Sequence, residues 1–427
     1  MSYFKNVAIL LSISAFSFSV SAAGKDANVE KYIQGSNSFG LKIFQNLAKT
    51  KQNVLYSPTS MNAALSMVGH FATPKSQEAL LKAMDFKGLS IEEYNEAMKK
   101  VAVSFQGGKT SEYGVNSANS IWVDKDYTME RSFKTQQFES LYSAIPNNEH
   151  FFSSTSAADA MNAWVKKATG ERIPQLVTAE EVAPLDWIAI NAVYFEGKWF
   201  KKFGTKFKAP FTKANGTAGQ AQYLEASPGS GVSMVEATDY TLFELGYGKA
   251  ERNQAVDHKG SMIIVQPKDP KALATLVQSM TVEKFNGLLK SLAEQKELGN
   301  GSYVAVNIPA FELDFNTDMA PVKDALVAAG ADEFFKAFDM SSLNENFTAV
   351  NNNKIKLIKQ KANITVANEG TIAAAASAVG GGIESMGPRS VYVDSAFMYF
   401  IVDKATNAIL FVGTLTDTDS VKVPKMK

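Results

Sequence analysis

Hydrophobic and polar positions change period along this chain, and the change divides it. Early on, Phe39, Ile43 and Leu47 recur every four residues, and Met61, Leu65 and Val68 keep a similar spacing with Ser60 placed to cap their run. Both stretches predict helices. From Val115 to Val123 β-branched and aromatic residues thicken, and Ile188–Phe195 (IAINAVYF) is apolar at nearly every position, as a strand buried on both faces must be. Between them, Ala157–Ala168 with Met161, Ala163, Trp164 and Val165 predicts a further helix that stops at Gly170. Tyr303–Phe315, Lys354–Val366 and Phe397–Leu415 predict a C-terminal third made mainly of strand. Helices first, strands later and no strict alternation predict an α+β fold with a mixed or antiparallel sheet.

The N-terminus reads differently. One charge, Lys5, precedes the apolar run Val7–Val20 and the small residues Ser21-Ala22-Ala23, which predicts a secretory signal over residues 1–23. The run is diluted by serines and falls short of the roughly 20 residues a bilayer span needs. No repeat or Pro-rich linker divides residues 24–427, so they are read as one domain, exported, with no membrane partner. An exported chain without disulfides must be held by its core, and 45% hydrophobic content supplies one. That fits a secreted protein of a bacterial periplasm or extracellular medium.

Composition then removes function classes. Lys plus Arg and Asp plus Glu both total 43, so no charge excess exists to hold nucleic acid. The cysteine count of zero excludes thiolate nucleophiles and Cys-ligated metals. Of the three histidines, His70 ends an apolar helical run and reads as structural, while His150 and His258 lie in polar sequence. Nucleophile-elbow, dinucleotide, P-loop and HExxH motifs are absent; Ser230, in Pro228-Gly229-Ser230-Gly231, has the wrong spacing. No enzyme activity, metal or cofactor is expected.

One segment makes no sense as ordinary structure. Residues 369–387 (EGTIAAAASAVGGGIESMG) string small residues and three glycines between two apolar strands, too closely bounded for a stable helix. Loops beyond about 15 residues in a compact domain are usually functional or disordered. The run Asn368-Glu369-Gly370-Thr371, followed by Ala373, Ala374, Ala375 and Ala376, resembles the hinge of the inhibitory serpins. Asn53–Ser60 (NVLYSPTS), Asn162–Val177 (NAWVKKATGERIPQLV), Asn191–Trp199 (NAVYFEGKW) and Phe397–Gly413 resemble further serpin blocks in family order.

The resemblance implies about nine helices around three β-sheets, with an exposed reactive-centre loop over about 369–390. It implies a suicide-substrate inhibitor of serine, or cysteine, endopeptidases, acting as a monomer that traps its target by inserting the cleaved loop into the main sheet. The alternative is a non-inhibitory member acting as a binding protein or chaperone. Trp199 falls at the breach, where insertion begins, and Ser57, Ser60, Asn191 and Gln360 fall in the shutter near the middle of the sheet. Capping and strand pairing are the ordinary uses of such residues. Family spacing from Gly370 places the reactive bond at Glu384-Ser385, with Met386 and then Arg389 as alternatives.

The residues themselves support insertion. A loop that becomes a central strand sends alternate side chains under the sheet, and counting from Thr371 these are Thr371, Ala373, Ala375, Ser377, Val379 and Gly381, all small or uncharged. Three positions depart from the family pattern. Asn368 and Ile372 stand where many serpins carry glutamate, and Gln360 stands where many carry histidine.

Overall fold

The computed structural model describes residues 26–70, 72–86, 88–105, 113–126, 145–147, 152–204, 206–225, 232–248, 259–297, 304–317, 319–336, 358–368, 370–371 and 390–424. The signal-sequence reading of residues 1–23 and the readings of His150 and His258 lie outside them. In chain order the first half carries α1 (Ala27–Ala48), β1 (Val54–Tyr56), α2 (Pro58–Gly69), α3 (Pro74–Ala83), α4 (Ile91–Phe105), β2 (Tyr113–Val123), β3 (Ile145–Asn147), α5 (Thr155–Ala168), α6 (Ala179–Val182) and β4 (Trp187–Lys198). There follow β5 (Lys206–Thr212), β6 (Ala218–Leu224), β7 (Ser233–Glu236), β8 (Tyr240–Tyr247), β9 (Gly260–Pro267), α7 (Leu273–Gln278) and α8 (Val282–Glu297). The last part holds β10 (Ala305–Pro309), β11 (Phe311–Thr317), α9 (Met319–Ala328), α10 (Asp332–Lys336), β12 (Ile358–Val366), β13 (Gly370–Thr371), β14 (Ser390–Tyr392), β15 (Phe397–Asp403) and β16 (Ile409–Leu415).

Three sheets form among the described residues. The main sheet runs β11-β12-β4-β2-β3, with β13 added on β4; the others run β1-β16-β15-β9-β8-β7 and β14-β10-β6-β5. β15 and β16 are buried at every position, which explains their unbroken apolar sequence. In β4 the odd residues Trp187, Ala189, Val193 and Phe195 join the principal core, while the even residues Ile188, Ile190 and Ala192 join a second cluster on the opposite face. Met161 and Val165 of α5 cover that second face. A strand covered on both sides is therefore apolar throughout its lower part.

Two expectations change. The cap of α2 is Ser57, with extended backbone ahead of Pro58 at the first helical position, and not Ser60, which lies inside the first turn. Proline suits that position because its missing N–H would have no helical partner. The C-terminal third is interrupted by α9 and α10, so it is less purely strand than its composition predicts. α5 ends as its sequence predicts, with Gly170 at φ +56.

Candidate functional site

The site is the seam between the two middle strands of the main sheet. β4 and β12 pair directly and in parallel, from Ile358↔Ala189 to Asn363↔Tyr194, so no strand lies between them over that stretch. Their outer neighbours β2 and β11 are antiparallel to them. Beyond Asn363 the two strands part. There the chain leaves β12, turns through Ala367 and Asn368, and runs back as β13, pairing antiparallel with β4 at Gly370↔Lys198 and Thr371↔Gly197. Directly opposed residues of an antiparallel pair share a face. The Thr371 register position thus belongs to the series of Gly197, Phe195 and Val193, which is the core side of β4.

The turn at the head of the seam is clamped from one segment. Trp199 is 4% exposed, and its indole Nε1 donates to the carbonyl of Ala367 at 2.8 Å. The Phe203 amide donates to the carbonyl of Asn368, also at 2.8 Å. The Trp199 ring stacks on Tyr247 at 4.5 Å between centroids and meets Phe203 edge-on at 5.5 Å. Gly197 leaves the space these rings need, since a Cβ there would lie 2.6 Å from Phe195 and 2.8 Å from Tyr247. Trp199 is therefore both a wall of the core and a hydrogen-bond anchor for the start of the hinge.

Lower down, buried polar groups cross the seam. Gln360 and Asn191 are register partners, both fully buried, and Gln360 Nε2 donates to Asn191 Oδ1 at 3.1 Å. The Asn191 amide nitrogen lies 2.7 Å from Asn119 Oδ1, 3.0 Å from Ser60 Oγ and 3.2 Å from Ser117 Oγ. Gln360 Oε1 accepts from Thr317 Oγ1 at 3.4 Å and from the Ser57 amide at 3.5 Å, and its Nε2 reaches the Ser57 carbonyl at 3.4 Å. Glutamine donates and accepts, and Gln360 uses both capacities to join Asn191, Thr317 and the Ser57 backbone. All four residues named from the sequence come together, although Ser57 joins only through its backbone. Its buried hydroxyl has no partner among the described residues. Ser117, Asn119 and Thr317 were missed. The visible signal was the alternation of Ser117 and Asn119 within an otherwise apolar strand.

The outer face of the seam is strapped by the chain that follows α5. Asn162 holds this segment back, accepting from the amides of Leu176 and Val177 at 2.8 and 3.1 Å. Lys361 of β12 donates to the Gln175 carbonyl at 2.9 Å, and Lys359 pairs with Glu181. Arg172 pairs with Glu196 of β4 at 3.5 Å and lies over the Tyr194 ring. Burial, and then Glu196, push the Tyr194 phenol above its ordinary pKa, against the pull of Arg172. Opening the seam to a further strand must loosen these contacts. Among the described residues no group of acidic or histidine side chains is arranged to hold a metal.

The sequence family model described as serpin (serine protease inhibitor) matches residues 34–418. The chain belongs to the serpin family. Relatives include Iripin-2 of Ixodes ricinus, 25% identical over 90% of this chain and 92% of its own length. The leukocyte elastase inhibitor of Bos taurus is 26% identical over 91% of this chain and all of its own. Among solved structures, the thermophilic serpin tengpin in its native state superposes with a TM-score of 0.74 at 22% identity, covering 93% of this chain and 96% of its own. Human kallistatin reaches 0.75 at 17% identity, covering 92% and 99%. The serpin fold expected from the sequence is thus shown. Of the expected hinge, the structure of this serpin describes Gly370 and Thr371 as paired backbone. Glu369, Ala373, Ala374, Ala375, Ala376, Glu384, Ser385, Met386 and Arg389 lie outside the described residues.

Proposed function

We propose that this serpin is a secreted suicide-substrate inhibitor of serine endopeptidases, with cysteine endopeptidases as a further target class. The observation that carries this reading is the pairing of Gly370 and Thr371 with β4 at the head of a closed parallel seam. The first residues of the hinge already lie in the direction and register of an inserting strand. Insertion replaces one parallel pairing with two antiparallel ones, which are slightly more stable per residue. About fifteen added ladder residues at 0.5–1.5 kcal/mol each amount to roughly 10–20 kcal/mol, comparable to the whole stability of an ordinary domain.

In this reading the target's nucleophilic oxygen forms an ester with the Glu384 carbonyl carbon. The bond to Ser385 nitrogen breaks, and the departing amine takes the proton. The released stem then enters the seam from Thr371 onward. A strand of that length spans about 50 Å, enough to drag the attached enzyme along the sheet before water completes hydrolysis. A glutamate at the reactive bond calls for a basic primary pocket to offset its desolvation.

Incubation with endopeptidases that prefer acidic, large apolar and basic residues tests the reading. A covalent complex that survives a denaturing gel is expected with the acid-preferring enzyme. Mass spectrometry of the released C-terminal peptide then assigns the bond: a start at Ser385 supports Glu384, one at Gly387 moves it to Met386, and one at Ser390 to Arg389. Cleavage without complex with all three enzymes would instead support the binding-protein alternative.

A further inference from the structure

The pairing of β13 on β4 fixes more than a direction of entry. It begins at Gly370↔Lys198 and Thr371↔Gly197, and an unbroken antiparallel ladder advances one residue on each strand at every step. Continued along the core-side series of β4, it sets Ala373 opposite Phe195, Ala375 opposite Val193, Ser377 opposite Asn191, Val379 opposite Ala189 and Gly381 opposite Trp187. Side-chain sizes then compensate from end to end. The tryptophan meets a glycine, the phenylalanine an alanine, the small Ala189 a valine and Gly197 a threonine. One polar pair remains, Ser377 with Asn191. A slip of two residues, the smallest that keeps the faces, would set apolar Ala375 or Val379 against the Asn191 amide instead.

Asn191 needs a partner there once the seam opens. Neighbouring strands lie about 4.8 Å apart, so a strand between β4 and β12 widens the gap by that much and the 3.1 Å bond from Gln360 to Asn191 is lost. Asn191 Oδ1 then lacks its donor and Gln360 Nε2 lacks that acceptor, and both residues are fully buried. A hydroxyl carries one donor and two acceptor sites, so one hydroxyl between the two amides answers both losses. A third group stands ready beside them. Ser57 caps α2 by backbone alone, without the side-chain bond that capping serines ordinarily make. Its buried hydroxyl has no partner among the described residues, and its backbone lies against the Gln360 amide.

We propose that Ser377 is the positioning residue of the inserted strand: its hydroxyl donates to Asn191 Oδ1, accepts from Gln360 Nε2 and offers its remaining acceptor site to Ser57 Oγ. This rests on the insertion reading given above and adds to it a register and a residue. Entry that stops short of residue 377 leaves the parted amides unpaired, so the strand is held once it has passed the middle of the sheet.

The test compares intact full-length protein with the same protein nicked beyond residue 381 by limited proteolysis, reading guanidinium midpoints for the parent, Ser377→Ala, Ser377→Val and Ser377→Thr. The parent and Ser377→Thr are expected to gain alike on nicking. Ser377→Ala and Ser377→Val, the second isosteric with threonine but without its hydroxyl, fall short by roughly tenfold in the folding constant, while the four intact proteins unfold together. In an Asn191→Ala background, Ser377→Ala costs the nicked form far less, because the partner is already gone. A parent that gains nothing on nicking overturns the insertion reading and this proposal with it. A parent that gains, with Ser377→Ala gaining as much, overturns the proposal alone, as does an equal loss from Ser377→Ala in the two backgrounds.

Discussion

Asn191 and Gln360 stand opposite one another across the parallel seam between β4 and β12, joined from Gln360 Nε2 to Asn191 Oδ1 at 3.1 Å. Each is fully buried. Their bond is a cross-link between β4 and β12, and breaking it is part of any opening of the seam. Because its members are buried, removing one leaves the others unpaired, and that cost exceeds the net worth of the bond.

Asn191→Ala is expected to lower stability by about 1–3 kcal/mol and to speed spontaneous loop insertion on warming. Urea denaturation gives the first quantity. Native gels of heated samples give the second, and a variant that converts no faster than the parent would show that Asn191 plays no part in holding the seam.

Thr371→Arg is expected to turn inhibitor into substrate. Thr371 is in register with Gly197, on the series of β4 positions that faces the core, where an unpaired guanidinium is far costlier than a hydroxyl. Cleavage should persist while the gel-stable complex disappears. Complex formation at the parent ratio would mean that the register of insertion differs from that of β13.

Trp199→Phe keeps most of the aromatic surface but deletes the indole donor to the Ala367 carbonyl. A loss of about 1 kcal/mol is expected, together with faster amide exchange at Gly370 and Thr371. Exchange confined to distant strands would argue against Trp199 as the anchor of the hinge.

Asp403 makes stability depend on pH. Burial raises its carboxyl above the ordinary 3.8, against hydrogen bonds from Thr406, Ser104 and Tyr113. Between the unfolded value and the raised folded one, the folded state holds more protons, so stability falls as pH rises through that window. The contribution is complete below 3.8 and lost above the folded value. Asp403→Asn removes this titration, and its urea midpoint should fall less than the parent's as pH rises from the ordinary carboxylate value of 3.8. Parallel profiles for the two proteins would place the titration elsewhere.

Local pattern sufficed wherever one short stretch of chain decides its own environment. The unbroken apolar run of β4 and the helix α5 with its glycine stop could be read because periodicity and side-chain size act over neighbouring residues. Ser57, Ser60, Asn191 and Gln360 could be named, but only as members of a resemblance. The cap of α2 was misplaced by one turn because Ser57 and Ser60 are chemically alike, and the backbone ahead of Pro58 decides between them.

What the tertiary structure alone decided is which distant groups meet. Gln360 reaches Asn191 because β12 and β4 pair in one particular parallel register, and a slip of one residue would send both amides to the opposite faces. Ser117, Asn119 and Thr317 enter the same network from strands on either side, and the Phe203 amide finds the Asn368 carbonyl across the breach. After β16 a tail rooted on Asn53 brings Lys422 to bridge Glu312 of β11. Each of these contacts depends on long-range pairing that closes large loops, and loop closure is selected by the cooperative burial of the whole core, not by the residues that end up touching.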